Sequence, residues 1–440
     1  MLGRIADVGD LVQQYLDQIR EEHVGVTDGA LAGYIPELAA VDPSGFALTL
    51  SSSDGYVYES GDTTTEFTIQ SISKPFTYAL ALDQLGHDAV DAHIGVEPSG
   101  EAFNEISVDP VSKIPKNPMI NAGAIAAVSL VPGASADERF ALICEFYSEF
   151  AGRPLQIDDD VYRSEQATGS RNRAIAYMLE SFGVLEGDPD EVLDVYFRQC
   201  ALRVTSTDLA RMAVTLARGG LNPMTGRKVT DYLLVQRTLS VMTTCGMYDA
   251  AGDWVSAVGM PAKSGVGGGI AAVLPGQLGI GVYSPRLDAK GHSVRGVRVC
   301  RSLSQRLGLH FLTVSRESRA AIRAAYDAGD GIRVYEIHGD LLFAGAEQVL
   351  RTVGRETDEF GVVILDVSRL DSINAPARAM LASMKTALRD VGKAGFLVDP
   401  DAVIGAEQLA DSATFANLDD AVAAARRWMR DGSAVDRPRK

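Results

Sequence analysis

The spacing of hydrophobic and polar positions near the amino terminus predicts a helix, a hairpin and a second helix. Apolar residues recur at helical spacing over residues 8–19. Apolar runs at residues 46–50 and 56–58 flank an Asp-Gly pair, which is typical of a β-hairpin. A third strand is predicted at residues 65–69, and a helical pattern follows from Phe76.

Farther along the chain the pattern changes from helical to strand-like. Residues 110–237 show mainly helical spacing, broken by loops rich in Gly, Pro and Asp. Two strand-like runs follow, at residues 254–263 and 270–282, and a helix at residues 294–307 closes the region. This order predicts an α+β fold, in which an antiparallel sheet is covered by helices and a helical lobe is inserted between its strands.

The remaining residues show a separate alternation of strands and helices, which predicts a small α/β domain. Residues 315–328 are charged and rich in alanine, as expected for a connecting helix or linker. The predicted strands are 333–338, 362–366 and 394–398, with a strand or turn at 340–344 and helices at 346–355, 375–388 and 419–429. Because 440 residues exceed one ordinary core, we predict domains at residues 1–312 and 330–440, joined by a linker at 313–329.

Composition and charge restrict the classes of partner. Hydrophobic residues make up 46% of the chain and charged residues 22%, as in a globular protein. The net charge of -17 argues against nucleic acid or an anionic membrane as the main partner. It sets no limit on the substrate, because an acidic protein can still bind an anion locally.

The cysteines and the amino terminus predict the compartment. Cys144, Cys200, Cys245 and Cys300 are scattered without metal-binding spacing, so we expect free thiols in a reducing cytosol. Residues 1–21 carry acidic positions and lack a basic segment followed by an apolar run, so no signal peptide is predicted. The longest apolar stretches are too short to span a bilayer. We therefore expect a cytoplasmic protein with no bound metal and no cofactor.

The first candidate for chemistry is Ser71-x-x-Lys74, at the predicted junction of a strand and a helix. Residues three apart lie on one face of a helix, so the hydroxyl and the amine are neighbours. If Lys74 is buried beside another cation, its pKa falls and it can accept the proton of Ser71. The helix N-terminus would also favour the negative charge of a tetrahedral intermediate. Alone the motif is weak, because about one chance match is expected in a chain of this length.

A second motif, Lys263-Ser264-Gly265, lies downstream at the end of a predicted strand. The pairing of S-x-x-K with a later K-[S/T]-G is the signature of the penicillin-recognising serine enzymes, and predicts their fold. Their middle element, S-D-N, is absent, so another group must carry the proton to the leaving group. Tyr248, just before the Lys263 strand, has a suitable hydroxyl, although an ordinary surface or core tyrosine is the alternative.

The glycines that follow Lys263 allow two interpretations. A phosphate-binding loop is disfavoured, because the G-K-[S/T] ending and the following helix are missing. The better interpretation is close approach of the backbone to a ligand. The N–H groups of Val266 and Ser71 could then form an oxyanion hole.

These motifs lie in a longer stretch, residues 34–300, that resembles the serine-dependent glutaminases. The segments that carry the resemblance are residues 34–38, 70–75, 117–125, 164–165, 169–172, 194–197, 245–249 and 261–266. The resemblance implies a β-lactamase-like fold and hydrolysis of L-glutamine to L-glutamate and ammonia. It also implies that Ser71 attacks the side-chain carboxamide, that Lys74 activates it, and that Tyr248 passes a proton to the departing ammonia. A γ-glutamyl ester would form and then react with water.

The resemblance also implies a set of substrate contacts: Tyr34, Ser71, Asn121, Glu165, Asn172, Tyr196, Tyr248 and Val266. The chemistry agrees, because Glu165 suits the ammonium of a free amino acid and neutral Asn and Tyr donors suit its carboxylate. Structural alternatives remain for each residue. Asn121 and Asn172 could be turn or cap residues, and Glu165 a solvated acid at a helix end.

The carboxy-terminal domain resembles the STAS domains of anti-sigma factor antagonists and anion transporters. The resemblance depends on residues 363–368 and 372–374 together with the overall pattern. In the antagonists a phosphorylatable serine begins the next helix, whereas Ala375 occupies that position here and Ser372 lies close by. We expect a regulatory or assembly role, with a partner or an anion at this domain. The glutaminase resemblance implies a homodimer or homotetramer.

Two rival functions remain open on the sequence. A β-lactamase or D-Ala-D-Ala peptidase would share the fold, but its substrates lie outside the cytoplasm. A signalling protein could use the front domain only to sense glutamine, although the complete set of Ser71, Lys74, Tyr248 and Lys263 argues for an active enzyme.

Overall fold

The computed structural model describes residues 10–100, 108–313, 321–404 and 414–431. The chain divides into a larger unit, residues 16–305 and 309–312, and a smaller unit, residues 1–15, 306–308 and 313–440. The helices are α1 (Asp10–Val24), α2 (Pro36–Ala39), α3 (Lys74–Leu85), α4 (His87–Asp91), α5 (Asn121–Ser129), α6 (Ala136–Ala151), α7 (Asp159–Thr168), α8 (Ser170–Ser181), α9 (Pro189–Cys200), α10 (Ser206–Ala217), α11 (Tyr232–Cys245), α12 (Ala251–Ala257), α13 (Val294–Leu307), α14 (Phe343–Arg355), α15 (Ala375–Asp390) and α16 (Leu418–Asp431). The strands are β1 (Ala47–Ser52), β2 (Val57–Gly61), β3 (Phe67–Thr68), β4 (Gln156–Ile157), β5 (Leu202–Val204), β6 (Ala262–Ser264), β7 (Gly269–Leu274), β8 (Leu278–Tyr283), β9 (Ile322–Asp327), β10 (Ile332–Leu341), β11 (Val362–Ile373), β12 (Ala394–Val398) and β13 (Thr414–Phe415).

The main sheet of the larger unit is antiparallel, with the strand order β2-β1-β8-β7-β6. The predicted hairpin is confirmed as β1 and β2, and β8 pairs along the other side of β1. The run predicted at 270–282 is two strands, β7 and β8, joined through a turn that contains Gly276. Every residue of both strands is buried, and the Pro275-Gly276 pair between them is the turn signal that divides the run.

Two other strand predictions in the larger unit are wrong in detail. The run at 254–263 contains helix α12 before the short strand β6, because Trp254 is an apolar residue of that helix. The third strand is reduced to β3, which pairs with β5 in a separate small sheet and not with the hairpin. A 3-10 helix, Gln70–Ser73, follows directly and leads into α3.

The helical lobe is built around α5, in which every residue is buried. Such a helix has no amphipathic stripe, since it is surrounded on all sides. A Cβ atom on Gly123 would lie 1.9 Å from the carbonyl oxygen of Asn117, so only glycine lets α5 start this close to the preceding loop. Asn121, the first residue of α5, is thereby held in the interior.

The smaller unit contains a mixed sheet with the order β13-β12-β11-β10-β9, in the residues that the structure describes. Strands β10 to β13 are parallel to their neighbours, and β9 is antiparallel to β10. Residues 322–327, predicted as part of a connecting helix or linker, are therefore an edge strand. The strand or turn predicted at 340–344 is the end of β10 followed by the start of α14. Alanine-rich segments carry a helical bias that pairing with β10 overrides.

Candidate active site

Ser71 and Lys74 lie at the junction between the 3-10 helix and α3. In a 3-10 helix residues three apart are eclipsed, which places the two side chains on the same side. Gln70, just before the serine, has a φ of 51°, in the left-handed region that side chains rarely adopt. Such a conformation costs on the order of 1–3 kcal/mol and persists where the surroundings enforce it.

A cavity of about 170 Å³ opens in front of Ser71. Predicted site residues that line it are Tyr34, Ser71, Asn121, Glu165, Asn172, Tyr196 and Val266. These residues come from separate helices and loops of the larger unit and are far apart in sequence. The same cavity is also lined by Gln70, Thr168, Gly169, Arg171 and Cys200, which the sequence reasoning missed.

Lys74 is fully buried and donates a hydrogen bond of 2.6 Å to Oδ1 of Asn121. Burial lowers the pKa of Lys74 to about 7, against the opposing effect of Cys200 and Glu165. The predicted fall in pKa therefore has burial as its cause, whereas the neighbouring cation acts mainly on the other lysine. Near neutral pH a large share of Lys74 is an uncharged amine that can accept a proton.

Tyr248 and Lys263 complete the group around the serine. The Tyr248 side chain hydrogen-bonds to Ser71, and burial raises the pKa of its hydroxyl. Nζ of Lys263 lies 3.9 Å from the centroid of the Tyr248 ring and donates to the carbonyl of Ser264 at 2.7 Å. Burial, and then the charge of Lys74, hold the pKa of Lys263 well below its usual range.

Glu165, Asn121 and Asn172 are polar residues of the cavity wall. Nδ2 of Asn121 donates to Oδ1 of Asn172 at 2.9 Å, so one asparagine joins Lys74 to α8. Glu165 is only 8% exposed, and burial raises its pKa to about 7, opposed by a hydrogen bond from Gln70 and by the charge of Lys74. Glu165 is therefore not a solvated acid, and neither Asn121, inside α5, nor Asn172, inside α8, caps its helix with its side chain.

The remaining predicted contacts surround the cavity. Tyr196 on α9 is buried, whereas Tyr34 is 52% exposed and lies at the cavity rim. Val266 packs with Ile35 and Leu38 in a small apolar cluster beside Tyr34. A Cβ atom on Gly267 would lie 2.7 Å from the carbonyl oxygen of Thr68, so glycine lets the Val266 loop approach the segment that leads to Ser71.

Two of the missed residues have clear environments. Gln70 hydrogen-bonds to Glu165, and its position next to Ser71 was the available signal. Cys200 lies in the cavity wall as a free thiol, and burial raises its pKa to about 12, so it stays protonated. All four cysteines are free thiols, as predicted.

The described residues offer no group of three or more His, Cys, Asp or Glu side chains arranged to hold a metal ion. In the same residues, every helix is too short or too polar to cross a membrane.

The antiparallel sheet and the helical lobe define the β-lactamase-like class of fold, in which Ser71 hydrogen-bonds to Tyr248 and the buried Lys74 and Lys263 lie 5.6 and 3.9 Å from the centroid of the Tyr248 ring. The chain belongs to the Glutaminase family, whose family model matches residues 29–312, and residues 324–419 match the STAS domain.

Relatives and solved structures agree with this assignment. A glutaminase of Corynebacterium glutamicum is 45% identical over 395 residues, which cover 89% of this chain and 95% of the relative. A glutaminase of Microcystis aeruginosa is 48% identical over 307 residues, 70% of this chain and 91% of the relative. The crystal structure of Mglu matches with a TM-score of 0.68 at 43% identity and covers 89% of this chain and 99% of that chain. A probable glutaminase, ybaS, matches with a TM-score of 0.65 at 40% identity, over 68% of this chain and 97% of that chain.

Proposed function

We propose that this protein hydrolyses the side-chain amide of L-glutamine to give L-glutamate and ammonia. The observation that carries the proposal is a small cavity that both Ser71 and Glu165 line, with a largely neutral Lys74 that hydrogen-bonds to Asn121 in the same cavity wall. A solved structure of Mglu in its glutamate form, 39% identical to this chain, supports the same product.

The first half of the reaction forms an ester. Neutral Lys74 accepts the proton of Ser71 as Oγ attacks the carboxamide carbon, and the N–H groups of Ser71 and Val266 stabilise the oxyanion. Tyr248 gives its proton to the nitrogen as the C–N bond breaks, so ammonia departs, and the proton on Lys74 restores the phenol. A raised phenol pKa suits this role, because Tyr248 returns to the protonated form after each transfer.

The second half removes the acyl group. Water attacks the γ-glutamyl ester, its proton passes to Lys74, and the Ser71 oxygen leaves and regains a proton. Lys263, with its ammonium group disfavoured by burial, contacts the Tyr248 ring and holds it in place.

The polar side chains of the cavity wall recognise the free amino acid. The carboxylate of Glu165 pairs with the substrate ammonium, which in turn favours the ionised form of Glu165. Asn121, Asn172, Tyr34 and Tyr196 offer neutral donors to the substrate carboxylate. A cavity of about 170 Å³ is below the range of about 300–1,000 Å³ usual for drug-sized ligands, which favours one amino acid over a bicyclic β-lactam.

The test is ammonia release from L-glutamine, L-asparagine and D-glutamine by the wild type and by Ser71→Ala. We expect release from L-glutamine, and a loss on the order of 10⁶-fold in kcat for Ser71→Ala. Activity that survives Ser71→Ala would exclude Ser71 as the nucleophile. Nitrocefin hydrolysis without glutamine turnover would replace the substrate class, and a folded protein that binds glutamine without turnover would indicate a sensor.

We further propose that residues 1–312 carry hydrolysis and that residues 330–440 have a regulatory or assembly role, joined through 313–329. We propose a homodimer or homotetramer in the cytoplasm. Sedimentation equilibrium of the full chain at several concentrations measures the assembly, and a monomer at micromolar concentration contradicts it. Fractionation of the source cells tests the compartment.

A further inference from the structure

His292 lies in the loop between β8 and α13 and is almost completely buried, with 1% of its surface exposed. Its ring is nearly parallel to that of Tyr248, with the planes 16° apart and the centroids separated by 5.9 Å. This is the offset-stacked arrangement that aromatic pairs prefer. The loop thus supports the ring of the proposed proton carrier.

The same imidazole reaches a second part of the site. Nδ1 of His292 lies 2.7 Å from Oγ of Ser264, within hydrogen-bond distance. Ser264 separates Lys263 from the loop that carries Val266. One buried ring therefore contacts both Tyr248 and the strand end that leads to the oxyanion donor.

Tyr248 needs such support because its backbone is strained. It has a φ of 51°, a left-handed conformation that is unfavourable for a tyrosine and persists only where neighbours enforce it. Lys290, in the loop of His292, forms an ion pair of 3.4 Å with Asp249 and donates to the Asp249 carbonyl at 3.3 Å. The loop therefore contacts the Tyr248 turn at two points.

The groups that face His292 keep it uncharged. Burial and then Lys263 lower the pKa of His292 to about 4, against the weaker effects of Asp288, Asp249 and the Met247 backbone. Its own turn is held by Asp288, whose side chain accepts from the backbone N–H of His292 at 3.0 Å. A neutral imidazole adds no charge beside the Lys263 amine, and it does not titrate near pH 7.

We infer that His292 is a positioning residue, which holds Tyr248 in line with the segment from Lys263 to Val266. The inference depends on the glutamine hydrolysis proposed above, and deepens it. His292 acts through Tyr248 and contacts no reacting atom, so its contribution exists only while Tyr248 transfers protons.

The test is a double-mutant cycle with His292→Asn in the wild type and in Tyr248→Phe. Asparagine can keep the contact at Nδ1 but loses the ring, whereas His292→Phe keeps the ring and loses the contact. In the wild type we expect each to lower kcat about tenfold with KM changed less than about twofold, since small misplacements of a catalytic group are costly. In Tyr248→Phe we expect less than about a twofold effect, because coupled residues are not additive. In the His292 variants, the fall of kcat/KM with decreasing pH should remain centred near pH 7.

Controls separate positioning from folding. His310→Asn removes a histidine that stacks on Phe311 instead, and should leave kcat unchanged. An equal loss from His292→Asn in both backgrounds, or a loss in KM alone, overturns the inference. If the His292 variants fail to fold, Lys290→Ala tests the inference in their place. A loss of kcat that is absent in the Tyr248→Phe background supports the inference, and an unchanged kcat overturns it. Failure of the proposed function is detected separately, because the wild type would then release no ammonia from L-glutamine.

Discussion

Buried charge is used differently in the two units of this protein. In the larger unit Lys74 and Lys263 are fully buried, and among the described residues neither lies within ion-pair distance of a carboxylate. In the smaller unit the buried Arg351 and Glu347 lie one helical turn apart on α14, with Nε and Oε1 3.4 Å apart. Paired charges stabilise each other, whereas isolated amines lose their protons. The unpaired buried lysine therefore marks the catalytic unit.

Among the changes that test this contrast between the two units, Lys74→Met has the largest expected effect. Lys74→Met keeps the volume and removes the proposed base, so kcat should fall by about 10²–10⁴-fold. The free energy of unfolding should rise by about 1–4 kcal/mol, because a buried amine is replaced by an apolar chain. Glutamine turnover and chemical denaturation measure the two effects. A stable protein with unchanged kcat would remove Lys74 from the mechanism.

The reverse result is expected in the smaller unit. Glu347→Gln removes a buried carboxylate 3.4 Å from Nε of Arg351, and should destabilise this unit by about 3–5 kcal/mol. Asp330→Asn is the matched control, since it removes a solvent-exposed ion pair with Arg426 and should cost less than about 1 kcal/mol. Thermal unfolding of both variants measures the difference. Equal losses would show that burial does not distinguish the pairs.

The pH dependence of kcat/KM sharpens the contrast. Burial lowers the pKa of Lys74 to about 7, so the neutral base increases as pH rises through that value. Burial raises the pKa of Glu165 to about 7, so its carboxylate increases over the same range. Both changes favour catalysis at higher pH, and kcat/KM should fall by at least about tenfold per unit well below pH 7. Initial rates from pH 5 to 9 measure this fall in kcat/KM. A kcat/KM that does not change between pH 6 and 8 contradicts the prediction.

The smallest effect is expected from removing the STAS domain. A chain that ends after Ser315 keeps the residues proposed to carry the site, so hydrolysis should remain measurable. Ammonia release and circular dichroism of the truncated protein test this. A folded but inactive truncation would show that the second domain contributes to the site or to its assembly.

Local chemistry made much of the site predictable. The spacing of Ser71 and Lys74, and the later Lys263-Ser264-Gly265, are short-range features that any tertiary arrangement must respect. The hairpin of β1 and β2 was predictable for the same reason, since a tight turn joins neighbouring strands. His292 carried no such pattern, because its contacts with Tyr248 and Ser264 join residues that are distant in sequence.

The structure decided what depends on long-range packing. Pairing of β1 with β8, burial of Lys74 against α5, and the contact of Glu165 with Gln70 join segments that are far apart along the chain. A pKa is set by desolvation and by neighbouring charges, neither of which a linear pattern contains. The sequence alone therefore identified the residue types and the class of chemistry. The tertiary structure buried Lys74, which we propose as the base, and placed the carboxylate of Glu165 in the wall of the cavity that Ser71 also lines.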